Sequence, residues 1–163
     1  MLKSPRLVYN QFQKEDFSDF LSWYGNEKVM RMVAGKALSM EEAKSKFTKV
    51  LEQNKEDANS GFFSVSLESN NEFIAVVKFS FLEKDMVEIG YGSLPEYWFR
   101  GYATEMLEAI LNHARSMPKI RSLVGIVNPK NKNSIKVLKR QNFKLNSKTK
   151  NNEEALLKYI LEF

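Results

Sequence analysis

The chain has 163 residues, of which 43% are hydrophobic and 28% charged, a size and composition typical of one globular domain. It contains no cysteine, which excludes disulfide frameworks, thiolate metal sites and cysteine nucleophiles. The net charge of +5 favours an anionic partner such as nucleic acid, a polyphosphorylated cofactor or an acidic protein, although a lysine-rich soluble surface explains it equally well.

The sequence shows no internal repeat, low-complexity tract or linker, so we expect residues 1–163 to form a single domain. Its first residues lack the apolar core of a secretory signal, and its longest apolar stretches are strand-sized. These features together predict a cytoplasmic protein that does not associate with a membrane.

The first half of the chain predicts a strand, two helices and then three strands in quick succession. Ser39 and Glu42 form a serine-x-x-glutamate capping box at the start of the second helix. Short turns join the three later strands, which therefore form an antiparallel meander. The predicted elements are a strand at 6–12, helices at about 17–24 and from 39, and strands at 62–67, 73–81 and 86–92.

The second half predicts an alternation of helices and strands. A strand–helix–strand–helix run after an antiparallel meander predicts an α/β (α+β) fold with a mixed, mostly antiparallel central sheet of about seven strands and helices on both faces. The elements are a helix at 102–115, a strand at 122–127, a helix at 131–141 and strands at 143–145 and 155–163.

The segment 88–105 predicts a strand, a tight loop and the N-terminus of an amphipathic helix. A helix N-terminus presents unpaired backbone N–H groups and a partial positive charge, which suit a pyrophosphate. Gly101 would let the backbone approach such a group closely, and Arg100 would add a charge beside it. The segment has neither a Walker loop nor a dinucleotide-binding glycine fingerprint, and an ordinary loop into a core helix also explains it.

Three motifs in matching order resemble the GNAT acetyltransferase superfamily. Residues 98–103, Trp-Phe-Arg-Gly-Tyr-Ala, resemble its signature Gln/Arg-x-x-Gly-x-Gly/Ala at the start of the CoA-binding helix. Residues 131–143 resemble its element Asn-x-x-Ser-x-x-x-Leu followed by Gly-Phe, and residues 24–31 are similar to the ribosomal-protein N-acetyltransferase (RimJ/RimL-like) branch. The resemblance implies a GNAT-like fold and acetyl transfer from acetyl-CoA, as cosubstrate and without a metal, to the primary amine of a protein N-terminus or a small molecule.

The sequence departs from the family pattern at three positions. Trp98 replaces the consensus Gln/Arg, so its side chain is not expected to be essential for phosphate binding. Phe99 and Asn142 stand where glycine is usual. Because asparagine tolerates a positive φ, we expect Asn142 to keep a left-handed helix stop.

The resemblance also implies where the cosubstrate binds. The pantetheine arm would pair like an extra strand along residues 91–94, and a backbone N–H where the 86–92 strand splays from its neighbour would stabilise the oxyanion. The implied cosubstrate-binding residues are Tyr91, Ser93, Leu94, Phe99, Arg100, Gly101, Tyr102, Ala103, Thr104, Asn131 and Ser134.

Glu88 and Ser134 are the candidate catalytic residues. Glu88 matches a strand glutamate that is the general base in some relatives, and by alternation it shares a face with Gly90 and Gly92. A salt-bridged or solvated glutamate is the equally supported alternative. Ser134 would hydrogen-bond or protonate the leaving sulfur; the alternative is a solvated serine in a first turn that Asn131 caps.

Other polar residues receive simpler interpretations. Tyr102 is expected to pack in the core or the loop, and His113, the only histidine, is expected at the surface. Five basic residues either hold CoA phosphates or form a solvated helix face: Lys130, Lys132, Lys136, Lys139 and Arg140.

Two other function classes stay open. A non-catalytic acyl-CoA-binding module would bind CoA without turnover, and it is suggested by the absence of an unambiguous acid or base. A nucleic-acid-binding protein is suggested by charge alone, and it is disfavoured because most aromatic residues fall at core spacing, so no nucleic acid is expected. The positive charge disfavours a polycationic acceptor, and the sequence allows a monomer or a homodimer.

Overall fold

A computed structural model describes residues 1–151 and 154–163, and within them it has one seven-stranded sheet and five α-helices. The strand order is β1-β2-β3-β4-β5-β7-β6, and every neighbouring pair is antiparallel except β4–β5. The predicted fold class is confirmed. The elements are β1 Leu7–Gln11, α1 Phe17–Tyr24, α2 Glu27–Val33, α3 Met40–Glu56, β2 Gly61–Leu67, β3 Phe73–Phe81, β4 Met86–Ser93, α4 Tyr102–Arg115, β5 Ser122–Val127, α5 Lys132–Arg140, β6 Lys144–Asn151 and β7 Glu154–Glu162.

Two helix boundaries follow directly from local sequence. The Ser39 hydroxyl accepts a hydrogen bond from the Glu42 backbone N–H, and the Glu42 carboxylate accepts one from the Ser39 backbone N–H, so the capping box at α3 is formed as predicted. Asn142 has a φ of 66°, and Phe143 N–H donates to Leu138 O, which is the predicted left-handed stop after α5.

Two elements differ from the prediction. Helix α2 was not predicted; it begins where the Asn26 side chain accepts hydrogen bonds from Lys28 N and Val29 N. Strand β6 is longer than the predicted 143–145, because pairing with β7 extends it through exposed, polar positions that have no apolar alternation.

Helices cover both faces of the sheet. Helices α1–α3 pack on one face around Phe20, Phe47 and their neighbours, and α4 and α5 pack on the other around Leu107 and Leu138. Along β3, Val76 belongs to the first cluster and Val77 to the second, as strand alternation requires. No helix of the described residues is long and apolar enough to cross a bilayer.

The sheet opens between β4 and β5. Their parallel pairing runs from Met86↔Ser122 to Ile89↔Gly125, yet β4 continues to Ser93 and β5 to Val127. Leu94 N–H donates to Ile74 O of β3 at 2.7 Å. Because backbone groups alternate along a strand, the N–H groups of Tyr91 and Ser93 point to the opposite edge, into the opening.

Candidate functional site

A cleft of about 580 Å³ lies over the open ends of β4 and β5. Its walls come from α2, the loop between β4 and α4, the first turn of α4, and α5 with the loop before it. The predicted cosubstrate-binding residues line it, with the exception of Leu94 and Arg100. The lining also includes Val29, Met32 and Val33 of α2, a helix that the sequence analysis did not predict.

Leu94 and Arg100 lie beside the cleft. The Leu94 side chain packs against the apolar cluster under α1–α3. The Arg100 side chain is exposed, with its guanidinium 5.5 Å from the centre of the Tyr97 ring. Their place in the sequence motif therefore does not bring them into the cleft wall.

The first turn of α4 forms one end of the cleft. Gly101 caps the helix in a left-handed conformation (φ 82°), and no side chain caps the turn. Glu105 N–H already bonds Gly101 O, whereas the preceding first-turn N–H groups have no acceptor within a helix. Those groups belong to Tyr102, Ala103 and Thr104, which line the cleft, so the helix dipole and free donors there suit an anion.

Phe99 keeps glycine-like backbone angles in the loop. Its φ is 62° and its side chain is 86% exposed, so no packing of the ring offsets the strain of about 1–2 kcal/mol. The adjacent Trp98 indole donates from Nε1 to Ser93 O at 2.8 Å and ties the loop back to β4. Trp98 thus holds the loop in place.

An ion pair between Arg6 and Glu105, which the sequence analysis missed, supports the loop between β4 and α4. The Arg6 backbone N–H donates to Glu105 Oε1 at 2.8 Å, and its Nε donates to Oε2 at 2.6 Å. Arg6 Nη1 also donates to Arg100 O at 3.2 Å, and the guanidinium lies 4.3 Å from the centre of the Tyr102 ring. Arg6, just before β1, therefore contacts three residues of the loop and first turn of α4.

Glu105→Gln is expected to lower the free energy of unfolding by about 1–2 kcal/mol at pH 7. Burial raises the pKa of Glu105, but the hydrogen bonds from Arg6 outweigh it and hold the pKa below its ordinary value. Because the pKa of Glu105 is lower in the folded than in the unfolded chain, its ionised carboxylate stabilises the fold at pH values above the unfolded-state pKa. This stabilisation is lost as the pH falls through the folded-state pKa. Urea unfolding should therefore show a difference between wild type and variant that shrinks toward pH 3.

The matched control is Glu108→Gln, because Glu108 is an exposed carboxylate on the same helix. It should change the free energy of unfolding by less than about 0.5 kcal/mol. A loss in Glu105→Gln that is the same at every pH would contradict the role given to the carboxylate charge.

Two hydroxyl groups meet in the wall formed by α5. Asn131 caps α5 by accepting from Ser134 N at 3.1 Å, as predicted. The Tyr91 hydroxyl is buried and has no hydrogen-bond partner among the described residues. Burial raises the pKa of Tyr91 to about 12, and the neighbouring Ser134 hydroxyl partly opposes the rise. Tyr91 is therefore a neutral phenol beside Ser134.

The α5 side of the cleft is positively charged. Lys130, Lys132, Lys136 and Arg140 line it, whereas Lys139 does not. Among the described lining residues there is no aspartate or glutamate. A polyphosphate entering this side would meet cations and no opposing carboxylate.

Glu88 is not in the lining of the cleft. It lies on the face of β4 toward α1–α3, with its Oε2 2.6 Å from Lys78 Nζ. The salt-bridged alternative is thus what the structure shows, and the general-base role stays a prediction. Trp23, from α1, donates from Nε1 to Gly92 O at 2.8 Å and borders the same face.

The expectation for His113 was wrong. Its side chain is only 4% exposed, its Nε2–H donates to Asn59 O at 2.8 Å, and its ring centre lies 4.8 Å from that of Phe79. Burial lowers the pKa of His113. The residue lies on the buried face of α4, and polar sequence neighbours concealed this. Tyr102 packs against the core as expected.

Comparisons with known proteins agree with this geometry. The family model of the acetyltransferase (GNAT) domain matches residues 6–144. A curated relative, the uncharacterized N-acetyltransferase YnaD of Bacillus subtilis, is 26% identical over 140 residues, which are 85% of this chain and 79% of YnaD.

Two solved structures illustrate the likeness in fold. An acetyltransferase of the GNAT family from Bacillus anthracis superposes with a TM-score of 0.81 at 20% identity, over 99% of this chain and 97% of that chain. RimL, a ribosomal alpha-N-protein acetyltransferase solved in complex with coenzyme A, superposes with a TM-score of 0.80 at 17% identity, over 98% of this chain and 95% of that chain.

Proposed function

The chain belongs to the acetyltransferase (GNAT) domain family, and from this premise we propose that it transfers the acetyl group of acetyl-CoA to the primary amine of a protein N-terminus or a small molecule. The observation that carries the proposal is the cleft at the open ends of β4 and β5, which ends on the uncapped first turn of α4. RimL, a structural neighbour, binds coenzyme A and acts on a protein α-amine.

The residues of the cleft fit acetyl-CoA. The free N–H groups of Tyr102, Ala103 and Thr104 suit the pyrophosphate, and the lysines of the α5 side suit the remaining phosphate. The backbone edge at Tyr91 and Ser93 suits the amides of the pantetheine arm, which would pair along it like a strand.

The same residues provide the groups that acetyl transfer needs. A C–N bond forms between the acceptor amine and the acetyl carbon, and the C–S bond breaks. A backbone N–H in the opening, from Tyr91 or Ser93, stabilises the oxyanion that develops. The departing sulfur takes a proton from the Ser134 or Tyr91 hydroxyl, and the amine loses one to a base or to water.

Glu88 is the proposed base for that amine proton, acting from the acceptor side of β4. Glu88→Gln is expected to lower kcat/KM about 100-fold at pH 7. The loss should shrink as pH rises through the amine pKa, about 7.7–8.0 for an α-amine, because the free amine then needs no base. pH–rate profiles of wild type and variant measure this.

A loss that is equal at every pH would show instead that Glu88 acts only as the partner of Lys78. The matched control is Glu83→Gln, because Glu83 is an exposed carboxylate in the turn before β4. We expect its profile to superpose on that of the wild type.

The proposed function is tested by titrating the protein with acetyl-CoA in a calorimeter and then measuring thiol release with N-terminal peptides, amino acids and polyamines. Binding with release that depends on one acceptor class supports the transferase. Binding without release on any amine favours the non-catalytic acyl-CoA-binding module. The absence of binding would contradict the assignment of the cleft.

A further inference from the structure

A half-buried lysine on the acceptor side of β4 has no carboxylate partner, and from it we infer that the acceptor amine bears a carboxylate that Lys46 binds. This inference rests on the proposed function and extends it to the class of acceptor. The site lies on the face of the sheet that α1–α3 cover, opposite Tyr91 and Ser134.

The acceptor side has space for a ligand beside β4. Gly90 and Gly92 leave no side chain on this face, and Gly92 also lines the cosubstrate cleft. A Cβ added at Gly90 would meet only Lys78 Cβ, at 3.4 Å, whereas Trp23 closes the space over Gly92. An amine approaching the cleft from this face would therefore pass over Gly90.

Two ammonium groups and one carboxylate lie on this face of the sheet, and both ammonium groups are within 6 Å of the centre of the Phe62 ring, Lys46 Nζ at 5.9 Å and Lys78 Nζ at 5.7 Å. Lys78 Nζ lies 2.6 Å from Glu88 Oε2, so its charge is compensated. Lys46 Nζ projects from α3 and lies 5.2 Å from the centre of the Tyr24 ring and 5.9 Å from that of Phe62. No carboxylate of the described residues lies within 4.0 Å of it.

The charge of Lys46 is therefore held in place but not neutralised. Burial lowers its pKa, as do the positive charges of Lys78 and Lys49, and only Glu88 opposes the shift. The rings of Tyr24 and Phe62 stabilise the cation and position it. A bound carboxylate would relieve both the repulsion from Lys78 and the desolvation, whereas a polyamine would add to the repulsion.

The acceptor that fits this site carries both an amine and a carboxylate, with the amine beside Glu88 and the carboxylate bound by Lys46. A free amino acid and a protein N-terminus followed by an acidic residue both provide it. The measurement is kcat/KM for two pairs of acceptors that differ in one charge: an α-amino acid against its amide, and a peptide with aspartate against asparagine at its second position.

In the wild type we expect the carboxylate member of at least one pair to be preferred about tenfold or more. Lys46→Met should abolish that preference by lowering kcat/KM for the carboxylate member, and leave its neutral counterpart within about twofold. Lys46→Arg should retain most of the preference. Lys44→Met, an exposed position on the same helix, should not alter it. Preference in the amino-acid pair identifies a small acceptor, and preference in the peptide pair alone identifies a protein.

Equal kcat/KM for both members in the wild type would overturn the inference while leaving the transferase intact. An equal loss for both members in Lys46→Met would also overturn it, since it would indicate a structural role. If no amine is acetylated, the proposed function fails separately. Titration of the CoA complex with the amino acid and its amide then decides the inference, which is overturned if the carboxylate gives no tighter binding.

Discussion

Gly101→Val is expected to weaken CoA binding about 100-fold or more, a loss of about 2.7 kcal/mol of binding free energy. Gly101 has a φ of 82°, a region that a β-branched residue does not adopt without strain. A Cβ there would meet no protein atom closer than Arg6 Nη2 at 3.5 Å, so the effect comes from the backbone. Rotation of the turn toward negative φ would redirect the first-turn N–H groups away from the phosphates.

The measurement is CoA titration calorimetry together with thermal unfolding. Asn142→Val is the matched control, because Asn142 has a φ of 66° and lies outside the cleft. It should lose about 1–2 kcal/mol of stability, as Gly101→Val does, without a change in CoA affinity. Normal CoA affinity in Gly101→Val would contradict the placement of the phosphates at α4.

Phe99→Gly should raise the melting temperature, because glycine removes the backbone strain at a φ of 62° and the exposed ring makes no packing contact that would be lost.

The features that local sequence determines were predicted well. The capping box at Ser39 and the left-handed stop at Asn142 each depend on residues within one helical turn, so a motif is sufficient to identify them. The antiparallel meander of β2, β3 and β4 followed from short turns, and the mixed sheet followed from the alternation of helices and strands. The motif at Gly101 located the turn into α4, whereas the binding of phosphate at this turn stays a prediction.

The features that depend on distant residues were not predicted. Arg6 and Glu105 lie 99 positions apart, and neither has a local pattern that pairs them. The polar sequence neighbours of His113 predicted an exposed side chain, yet its ring is buried and donates a hydrogen bond to the carbonyl of the distant Asn59. In each case tertiary packing, rather than local preference, decides the side chain's surroundings.

Tyr91 and Ser134 are expected to act together on the leaving sulfur. A serine hydroxyl is a poor acid alone, and the buried Tyr91 phenol beside it can donate through it or in its place. Tyr91→Phe and Ser134→Ala should each lower kcat about 10- to 100-fold, with CoA affinity within about threefold. Because the two hydroxyls serve one proton transfer, the double variant should be little slower than the slower single variant.

The pH dependence follows from the direction of the Tyr91 shift. Its pKa is raised to about 12, so the phenol stays protonated below that value and the wild-type kcat should show no loss from Tyr91 between pH 6 and 10. Tyr9→Phe is the matched control, because burial also raises the pKa of Tyr9 to about 12 but its hydroxyl bonds Ser4 outside the cleft. Tyr9→Phe should leave kcat unchanged.

The double variant decides whether the two hydroxyls act together. If the losses in kcat of Tyr91→Phe and Ser134→Ala multiply in the double variant, the hydroxyls act independently. If neither single variant lowers kcat, the thiolate leaves without help from the protein.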